Sequence, residues 1–278
     1  MKSKEYLENL TGEVTGTFIL VFFGCGAVAA SVLFSAYTGL FQVAGIWGIG
    51  VTLGIYASRH LSCAHLNPAV SIGMVVAGRM HARKLPVYII AQLIGAFLAA
   101  AAIYLLFANS ICAYEAAHGI LRGDPSSISS AMMFGEYFPN PGSSGINAVS
   151  LATAMFAEGI GTFMLVLMIF LLTEKCNLGR PENSLAPVFI GATVTVIICL
   201  IAPLTQAGLN PARDFGPRLF AFLSGWGNAA IPGPKGGFFT VYILSPILGG
   251  LLAAICFTKV IEPMMNRSSH DNDSCCKD

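Results

Sequence analysis

The chain has little charge for its length. Of its 278 residues, 15 are Lys or Arg and 14 are Asp or Glu, which leaves a formal net charge of +1. A balance this close to neutral offers no basic surface, so we expect no nucleic-acid partner. Hydrophobic residues make up 55% of the chain and its mean hydropathy is +0.72. This composition excludes an ordinary soluble domain and indicates a polytopic membrane protein in a lipid bilayer.

The chain also lacks the residue patterns of metal sites and active sites. Its eight cysteines follow no zinc or disulfide spacing, and Cys25, Cys199 and Cys256 lie inside apolar runs. No nucleophile with a base and no pair of carboxylates falls near the expected membrane centre. We therefore expect no enzyme activity, no metal ion and no cofactor.

Apolar runs are plentiful, and six of them are long enough to cross a bilayer. They are Gly12–Phe34, Phe41–Ser58, Leu85–Phe107, Val149–Leu172, Leu185–Leu204 and Phe238–Val260. The sequence therefore predicts an all-α membrane protein with one channel domain, residues 11–262. Three spans lie in 11–107 and three in 149–262, and residues 108–148 connect them. Residues 1–10 are predicted to form a cytoplasmic N-terminus and 263–278 a disordered cytoplasmic tail.

The two halves of the chain repeat each other. Glu13–Val21 is similar to Glu158–Val166, and Tyr88–Gly95 is similar to Tyr242–Gly249. Because three spans make one half, the second half enters the membrane from the opposite face. The sequence therefore predicts an inverted 3+3 repeat.

One tripeptide occurs in both halves, as Asn67-Pro68-Ala69 and Asn210-Pro211-Ala212. Asn is a strong N-cap residue and Pro is favoured at the first helical position, so each tripeptide predicts a helix start. The runs that follow, Val70–Ala77 and Asp214–Leu223, are too short to span. They are predicted to be re-entrant half-helices whose N-termini meet at mid-membrane.

The segments that lead into these half-helices are predicted to line a pore. Non-helical backbone survives at membrane depth only where it is buried in protein or faces a watery cavity. Its carbonyls form a ladder of acceptors for water or hydroxyl groups, while apolar spans form the opposite wall. The predicted pore-lining backbone belongs to Ala64, His65, Leu66, Gln206, Gly208 and Leu209. Cys63, four residues before Asn67, is then a plausible target for mercurials at the inner half of the pore.

The centre of such a pore repels cations. Each half-helix N-terminus carries about +0.5 elementary charge. Asn67 and Asn210 offer side-chain N–H donors there, so a passing oxygen accepts from both and a proton-conducting chain of water is interrupted.

Loop charges predict the orientation. Ten basic residues fall on one side of the six-span arrangement and two, Arg122 and Lys235, on the other. The positive-inside rule then places both termini on the cytoplasmic side of the membrane. The expected location is a plasma or inner membrane. The ten are Lys2, Lys4, Arg79, Arg83, Lys84, Lys175, Arg180, Lys259, Arg267 and Lys277. The external connector, which includes Cys112, is rich in Gly, Pro, Ser and Asn, and the sequence does not decide whether it is ordered.

These residues resemble a known family. Residues 65–70 and 209–218 resemble the paired signatures of aquaporins, over about residues 10–262. Ile46-Trp47-Gly48, Asp214 directly after Arg213, Arg218 and the connector's Pro139-Asn140-Pro141 are most similar to the glycerol facilitators, the aquaglyceroporin branch. The resemblance implies the aquaporin fold and a homotetramer in which each chain holds its own pore.

The resemblance also implies a selectivity filter formed by Trp47, Ile198, Ala207 and Arg213. Glycerol facilitators typically have Gly and Phe where this chain has Ile198 and Ala207, so the filter is atypical. It is more similar to that of plant nodulin-like intrinsic proteins, which pass water, glycerol and related uncharged solutes. The apolar face of this filter is therefore aliphatic where that of glycerol facilitators is aromatic. Arg213 still offers two N–H donors to a hydroxyl oxygen.

Two intramembrane carboxylates, Glu13 and Glu158, occupy equal places in the two repeats. A proton relay is one interpretation, because such groups are costly in a membrane. The favoured one is structural support of the re-entrant loops, with Asp214 as a third supporting group. Arg59 and His60, at the predicted cytoplasmic mouth, are either a solvated rim or a pH-sensitive gate.

The sequence as a whole predicts a passive channel for small uncharged solutes, with glycerol and similar polyols plus water as the expected solutes, which excludes ions and protons. A water-selective channel and one for urea or metalloid hydroxides are the alternatives within the family. An ion-coupled secondary transporter is the main alternative of another class, because broken helices and inverted repeats serve it too. A non-conducting junction protein is favoured only if the pore is plugged.

Overall fold

We describe a computed structural model of the chain, covering residues 3–143, 149–233 and 237–271, with side chains described from Lys4 to Asn266 in these ranges. All regular structure in these ranges is helical. The α-helices are α1 Ser3–Phe34, α2 Leu40–Ser58, α3 Pro68–Val76, α4 Leu85–Ala117, α5 Ile128–Ala131, α6 Leu151–Thr173, α7 Ala186–Thr205, α8 Pro211–Ala221, α9 Ser245–Cys256 and α10 Glu262–Asp271. Turns of π-helix over Thr240–Leu244 and Phe257–Ile261 make α9 and α10 parts of one continuous helical segment.

Six of these helical segments are long and apolar enough to cross a membrane. They are Lys4–Phe34, Leu40–Ser58, Ala82–Ala117, Leu151–Thr173, Ala186–Thr205 and Thr240–Asn266. The multi-pass architecture expected from the sequence is therefore confirmed. The short helices α3 and α8 lie between the second and third segments of each half, which gives two three-helix repeats with a half-helix in each.

Equivalent helices of the two repeats make equivalent contacts. In the first repeat α1 packs on α2 and α4, and in the second α6 packs on α7 and α9. Glycines let these helices approach closely. A Cβ on Gly95 would lie only 2.4 Å from the carbonyl oxygen of Val14, and a Cβ on Gly249 only 2.1 Å from the carbonyl oxygen of Gly159. The repeats interlock at the half-helices, since α3 packs on α9 and α8 packs on α4.

The ends of the helices differ from the expected bounds. Helix α4 continues through Cys112 to Ala117, so Cys112 lies in a helix and the connector begins about ten residues later than expected. Residues 109–117 include three Ala and no Gly or Pro, so nothing in them stops a helix. At the other end, the helical segment runs on to Asp271, which corrects the expectation of a disordered tail for its first part. Residues 272–278, the rest of that tail, lie outside the described residues, as do Lys2 and Lys235.

The connector is ordered wherever the structure describes it. Met133, Phe134 and Tyr137 are buried, and the Tyr137 hydroxyl donates to the carbonyl oxygen of Ala229 at 2.8 Å. The Asn140 amide donates to the carbonyl oxygen of Ala202 at the end of α7, at 2.7 Å. These contacts fold the connector onto the end of α7 and the segment that follows α8.

Candidate functional site

The two Asn-Pro-Ala tripeptides begin the two half-helices. Asn67 and Asn210 have extended backbones and each side-chain oxygen accepts from the N–H two residues later, at 2.8 Å from Ala69 and 3.0 Å from Ala212. Pro68 and Pro211 occupy the first helical position. Each Asn therefore acts as an N-cap, an interaction that stabilises a helix by about 1 kcal/mol.

The same two asparagines join the repeats. The Asn67 amide nitrogen donates to the carbonyl oxygen of Leu209 at 2.9 Å, and the Asn210 amide nitrogen donates to that of Leu66 at 2.7 Å. Each amide thus links its half-helix to the loop of the other repeat and keeps one further N–H. Both side chains line one elongated cavity of about 380 Å³, so this remaining donor is available to its contents.

The loops before the half-helices have an unusual backbone. Ala64 and Leu66 in the first loop, and Ala207 and Leu209 in the second, have positive φ angles of 51°, 53°, 66° and 56°. Non-glycine residues rarely adopt this conformation, and it costs about 1–3 kcal/mol each where it occurs. The surrounding structure must therefore hold both loops in place.

Two buried carboxylates hold them. Glu13 accepts hydrogen bonds from the backbone N–H groups of His65 and Leu66, at 3.0 and 2.8 Å. Glu158 accepts from those of Gly208 and Leu209, at 2.9 and 2.7 Å. Further donors complete each shell: the Ser62 hydroxyl and Gln92 amide at Glu13, and the Thr205 hydroxyl at Glu158. Each carboxylate accepts from two adjacent backbone N–H groups of a loop, a pattern that favours structural support over a proton relay.

The cavity runs past both loops. Its lining includes Ala64, His65, Leu66, Gly208 and Leu209 on one side, and apolar side chains of α1, α2, α6 and α7 on the other. Gln206 takes a different place. It caps α7 in the left-handed conformation (φ 63°), and its side-chain oxygen accepts from the N–H of Tyr137 at 2.8 Å.

Four residues from four elements converge on the same cavity. Trp47 from α2, Ile198 from α7, Ala207 from the second loop and Arg213 from α8 all line it. The guanidinium carbon of Arg213 lies 4.0 Å from the Trp47 ring centroid. One terminal nitrogen of Arg213, Nη1, is buried without a hydrogen-bond partner among the described residues.

A carboxylate that the sequence analysis did not single out lies beside this arginine. Glu136, from the connector, forms an ion pair with the Arg213 guanidinium, and the side chains are only 3% and 5% exposed. Its carbonyl oxygen accepts from Arg218, and its N–H donates to Asp214 at 2.9 Å. Asp214 also accepts from Arg218 Nε at 2.7 Å. A glutamate in the largely uncharged run 132–138 is the one sequence signal that could have drawn attention to this position.

The opposite end of the cavity is lined by Arg59, Cys63, Arg79 and Asn183. Arg59 Nη1 donates to the Asn183 carbonyl oxygen at 2.8 Å, which ties the end of α2 to the loop before α7. Arg79 forms ion pairs with Glu174 and Glu262 and lies 5.0 Å from the Phe170 ring centroid. Partial burial raises the pKa of Glu174, but hydrogen bonds from the Cys176 N–H and from Arg79 outweigh it, so the net pKa lies below its usual range.

The fold and the cavity together define a class of protein: a membrane channel whose pore passes the N-termini of two half-helices, one from each repeat. Residues 1–257 match the family model of the major intrinsic proteins. The chain belongs to the major intrinsic protein family.

Relatives and a solved structure agree with this assignment. The chain is 41% identical to the glycerol uptake facilitator protein of Haemophilus influenzae over 259 residues, which covers 93% of this chain and 95% of that one. It is 43% identical to that of Pseudomonas aeruginosa over 243 residues, 87% and 84% of the two chains. The propanediol uptake facilitator PduF of Citrobacter freundii is 38% identical over 250 residues, 90% of each chain. The aquaglyceroporin structure from Plasmodium falciparum superposes with a TM-score of 0.81 at 28% identity, over 94% of this chain and 99% of that one.

Proposed function

We propose that this protein is a passive channel through which glycerol and similar small uncharged polyols, together with water, cross a cell membrane. The observation that carries the proposal is the cavity, which passes both half-helix N-termini and has a different chemistry on each wall. Relatives at about 40% identity over nearly the whole chain are glycerol uptake facilitators. A channel of this kind needs no catalytic group.

The two walls suit a polyol. On one side the loop backbone provides acceptors for hydroxyl groups, and the Arg213 guanidinium is the donor group that lines the same cavity. On the other, Leu20, Val51, Ile55 and Val194 provide a continuous apolar surface for a carbon chain. An ion gains too little from such a half-polar path to replace its hydration shell.

The centre of the path adds a barrier to cations and protons. The N-termini of α3 and α8 both face it, each with about +0.5 elementary charge. One N–H on each of Asn67 and Asn210 remains to donate to a water oxygen there. A water molecule that accepts from both cannot pass a proton along the file.

We assign the solute filter to Trp47, Ile198, Ala207 and Arg213. Ile198 narrows the solute path relative to the Gly that glycerol facilitators typically have there. Ala207 widens the path relative to their Phe. Glycerol is the first candidate solute. The likeness to propanediol facilitators favours a second, a 1,2-diol with a methyl group, which Ile198 would accommodate on its aliphatic face. Water-selective and urea or metalloid channels remain outcomes of the test.

We further propose that both termini face the cytoplasm and that four chains form a homotetramer with one pore each. The count of ten basic loop residues against two supports the orientation. Large apolar side chains are exposed along α2, α4, α6, α7 and α9, so lipid or neighbouring chains must cover these helices.

The test is stopped-flow light scattering on proteoliposomes with glycerol, 1,2-propanediol, urea and water. We expect glycerol flux that is proportional to its gradient and does not saturate. Water flux without glycerol flux would make the protein a water channel in which Ile198 closes the filter. Flux that appears only with a proton or ion gradient would move it to the transporter class.

Filter variants sharpen the test. We expect Ile198→Gly to raise glycerol permeability and Ala207→Phe to lower it, each by about 3-fold or more, because one methylene group in a tight site is worth about 10-fold. The double variant should lie between the two. Val196→Gly is the control, since Val196 lies on the same helix but is exposed and does not line the cavity. Equal effects of Ile198→Gly and Val196→Gly would remove Ile198 from the filter.

A further inference from the structure

Helix α1 supplies a residue that supports the filter without lining the cavity. Gly24 lies against the indole of Trp47, and a Cβ built on it would be 2.1, 2.1 and 2.2 Å from the ring atoms Cε3, Cζ3 and Cδ2. Three ring atoms at equal distance place that Cβ over the ring face and not beyond its edge. The ring therefore rests directly on the helix backbone at a position where any side chain would collide with it.

We infer that Gly24 is a specificity-determining position of this channel, because the absence of a side chain there sets how far the Trp47 indole reaches into the pore. The inference rests on the proposed filter. Trp47 is 5% exposed, lines the cavity and lies 4.0 Å from the Arg213 guanidinium. We therefore expect a ring displaced from α1 to shift toward Arg213 and the solute path, which lie on its other side.

The helices themselves cannot separate to make room. About two helical turns away, α1 and α2 are again in close contact. A Cβ on Gly54 of α2 would lie 2.7 Å from the carbonyl oxygen of Gly16 in α1. One on Gly16 would lie 2.5 Å from the Ser58 hydroxyl. This contact fixes the distance between α1 and α2, so extra volume at Gly24 is taken up by the side chain it meets.

A neighbouring glycine provides a matched control. Gly26 lies on the same helix two residues later, and a Cβ there would approach only the terminal Cδ1 atom of Ile103, at 3.2 Å. That atom is the end of a flexible side chain and does not line the cavity. Gly26→Ala therefore adds the same methyl group to the same helix without touching the filter.

The experiment compares Gly24→Ala, Gly26→Ala, Trp47→Leu and the double variant Gly24→Ala/Trp47→Leu by glycerol and water permeability in proteoliposomes. We expect Gly24→Ala to lower glycerol permeability at least about 5-fold and water permeability less than about 2-fold, since a displaced ring excludes the wider solute first. Gly26→Ala should leave both near native. In the Trp47→Leu background, Gly24→Ala should have no further effect, because the ring it displaces is gone.

The outcomes separate this inference from the proposed filter. If Trp47→Leu leaves the ratio of glycerol to water permeability unchanged, the filter assignment itself is wrong. If Trp47→Leu changes that ratio but Gly24→Ala acts like Gly26→Ala, only the role of Gly24 is wrong. Should Gly24→Ala fail to fold, folding of the double variant would support the contact with Trp47. Misfolding of both would show that Gly24 serves helix packing alone.

Discussion

At the scale of single residues, the channel wall depends on a buried ion pair. Glu136 binds one end of the Arg213 guanidinium, while Nη1 at the other end has no partner among the described residues. The pair holds a guanidinium that lines the solute path and partly offsets its positive charge. Burying two charges is costly, so a stability role alone is a weak reason for such a pair. We attribute to Glu136 the positioning of Arg213.

The corresponding prediction concerns Glu136→Gln, which keeps the size of the side chain and removes its charge. The Arg213 guanidinium is then less firmly held, so we expect glycerol permeability to fall about 3-fold or more and unfolding free energy to fall by about 1–3 kcal/mol. Stopped-flow flux and thermal unfolding in detergent measure the two effects. Glu182→Gln, at an exposed loop position, is the control. Native flux in the Glu136 variant would show that Arg213 is positioned without it.

At the scale of elements, each re-entrant loop is a strained segment held by one carboxylate. Glu158 presents two oxygens to two adjacent N–H groups, those of Gly208 and Leu209. Glu13 does the same for His65 and Leu66. Because the loops contain positive φ angles at Ala207 and Leu209, and at Ala64 and Leu66, they need these acceptors to keep their shape.

This geometry predicts the effect of Glu158→Gln. An amide has one acceptor oxygen, and its NH2 group would face a backbone N–H, so one N–H is left buried without a partner. We expect a loss of about 1–3 kcal/mol in unfolding free energy and a strong loss of both glycerol and water flux. We expect Glu13→Gln to have the same effects as Glu158→Gln, because Glu13 holds the equivalent loop of the first repeat. A variant that loses only proton exclusion, with unchanged stability, would instead support a proton relay.

At the scale of the whole molecule, the two repeats meet at the two asparagine cross-links and at the packing of α3 on α9 and α8 on α4. Each repeat thus completes the other's half of the pore. The connector covers one end of this assembly and contributes Glu136, the ion-pair partner of Arg213. The loop before α7 and Arg59 border the other end, which makes the two mouths chemically different.

Orientation is tested with a membrane-impermeant maleimide on intact cells. Cys112 and Cys63 are both exposed, near opposite ends of the molecule in the proposed topology. We expect labelling of Cys112 from outside, so that Cys112→Ser loses the label while Cys63→Ser keeps it. After permeabilisation Cys63 should react, and mercurials should then block the pore. Loss of external labelling in Cys63→Ser would reverse the proposed topology.

The sequence by itself determined much of this protein. Long apolar runs, the repeat of Glu13–Val21 in Glu158–Val166 and two Asn-Pro-Ala starts predicted six spans and two half-helices, because run length, N-cap chemistry and repeat symmetry are local properties. They also predicted the family, which the comparison with known proteins confirmed.

Only the tertiary structure decided which distant residues meet. The partnership of Glu136 with Arg213 and of Gly24 with Trp47 joins residues 77 and 23 positions apart on different elements, and no local pattern records such contacts. The order of the connector was equally out of reach, since contacts with α7 and α8 hold a loop whose composition alone predicts nothing definite. Local chemistry fixed the parts of the pore, and the packing of helices from both repeats fixed its dimensions.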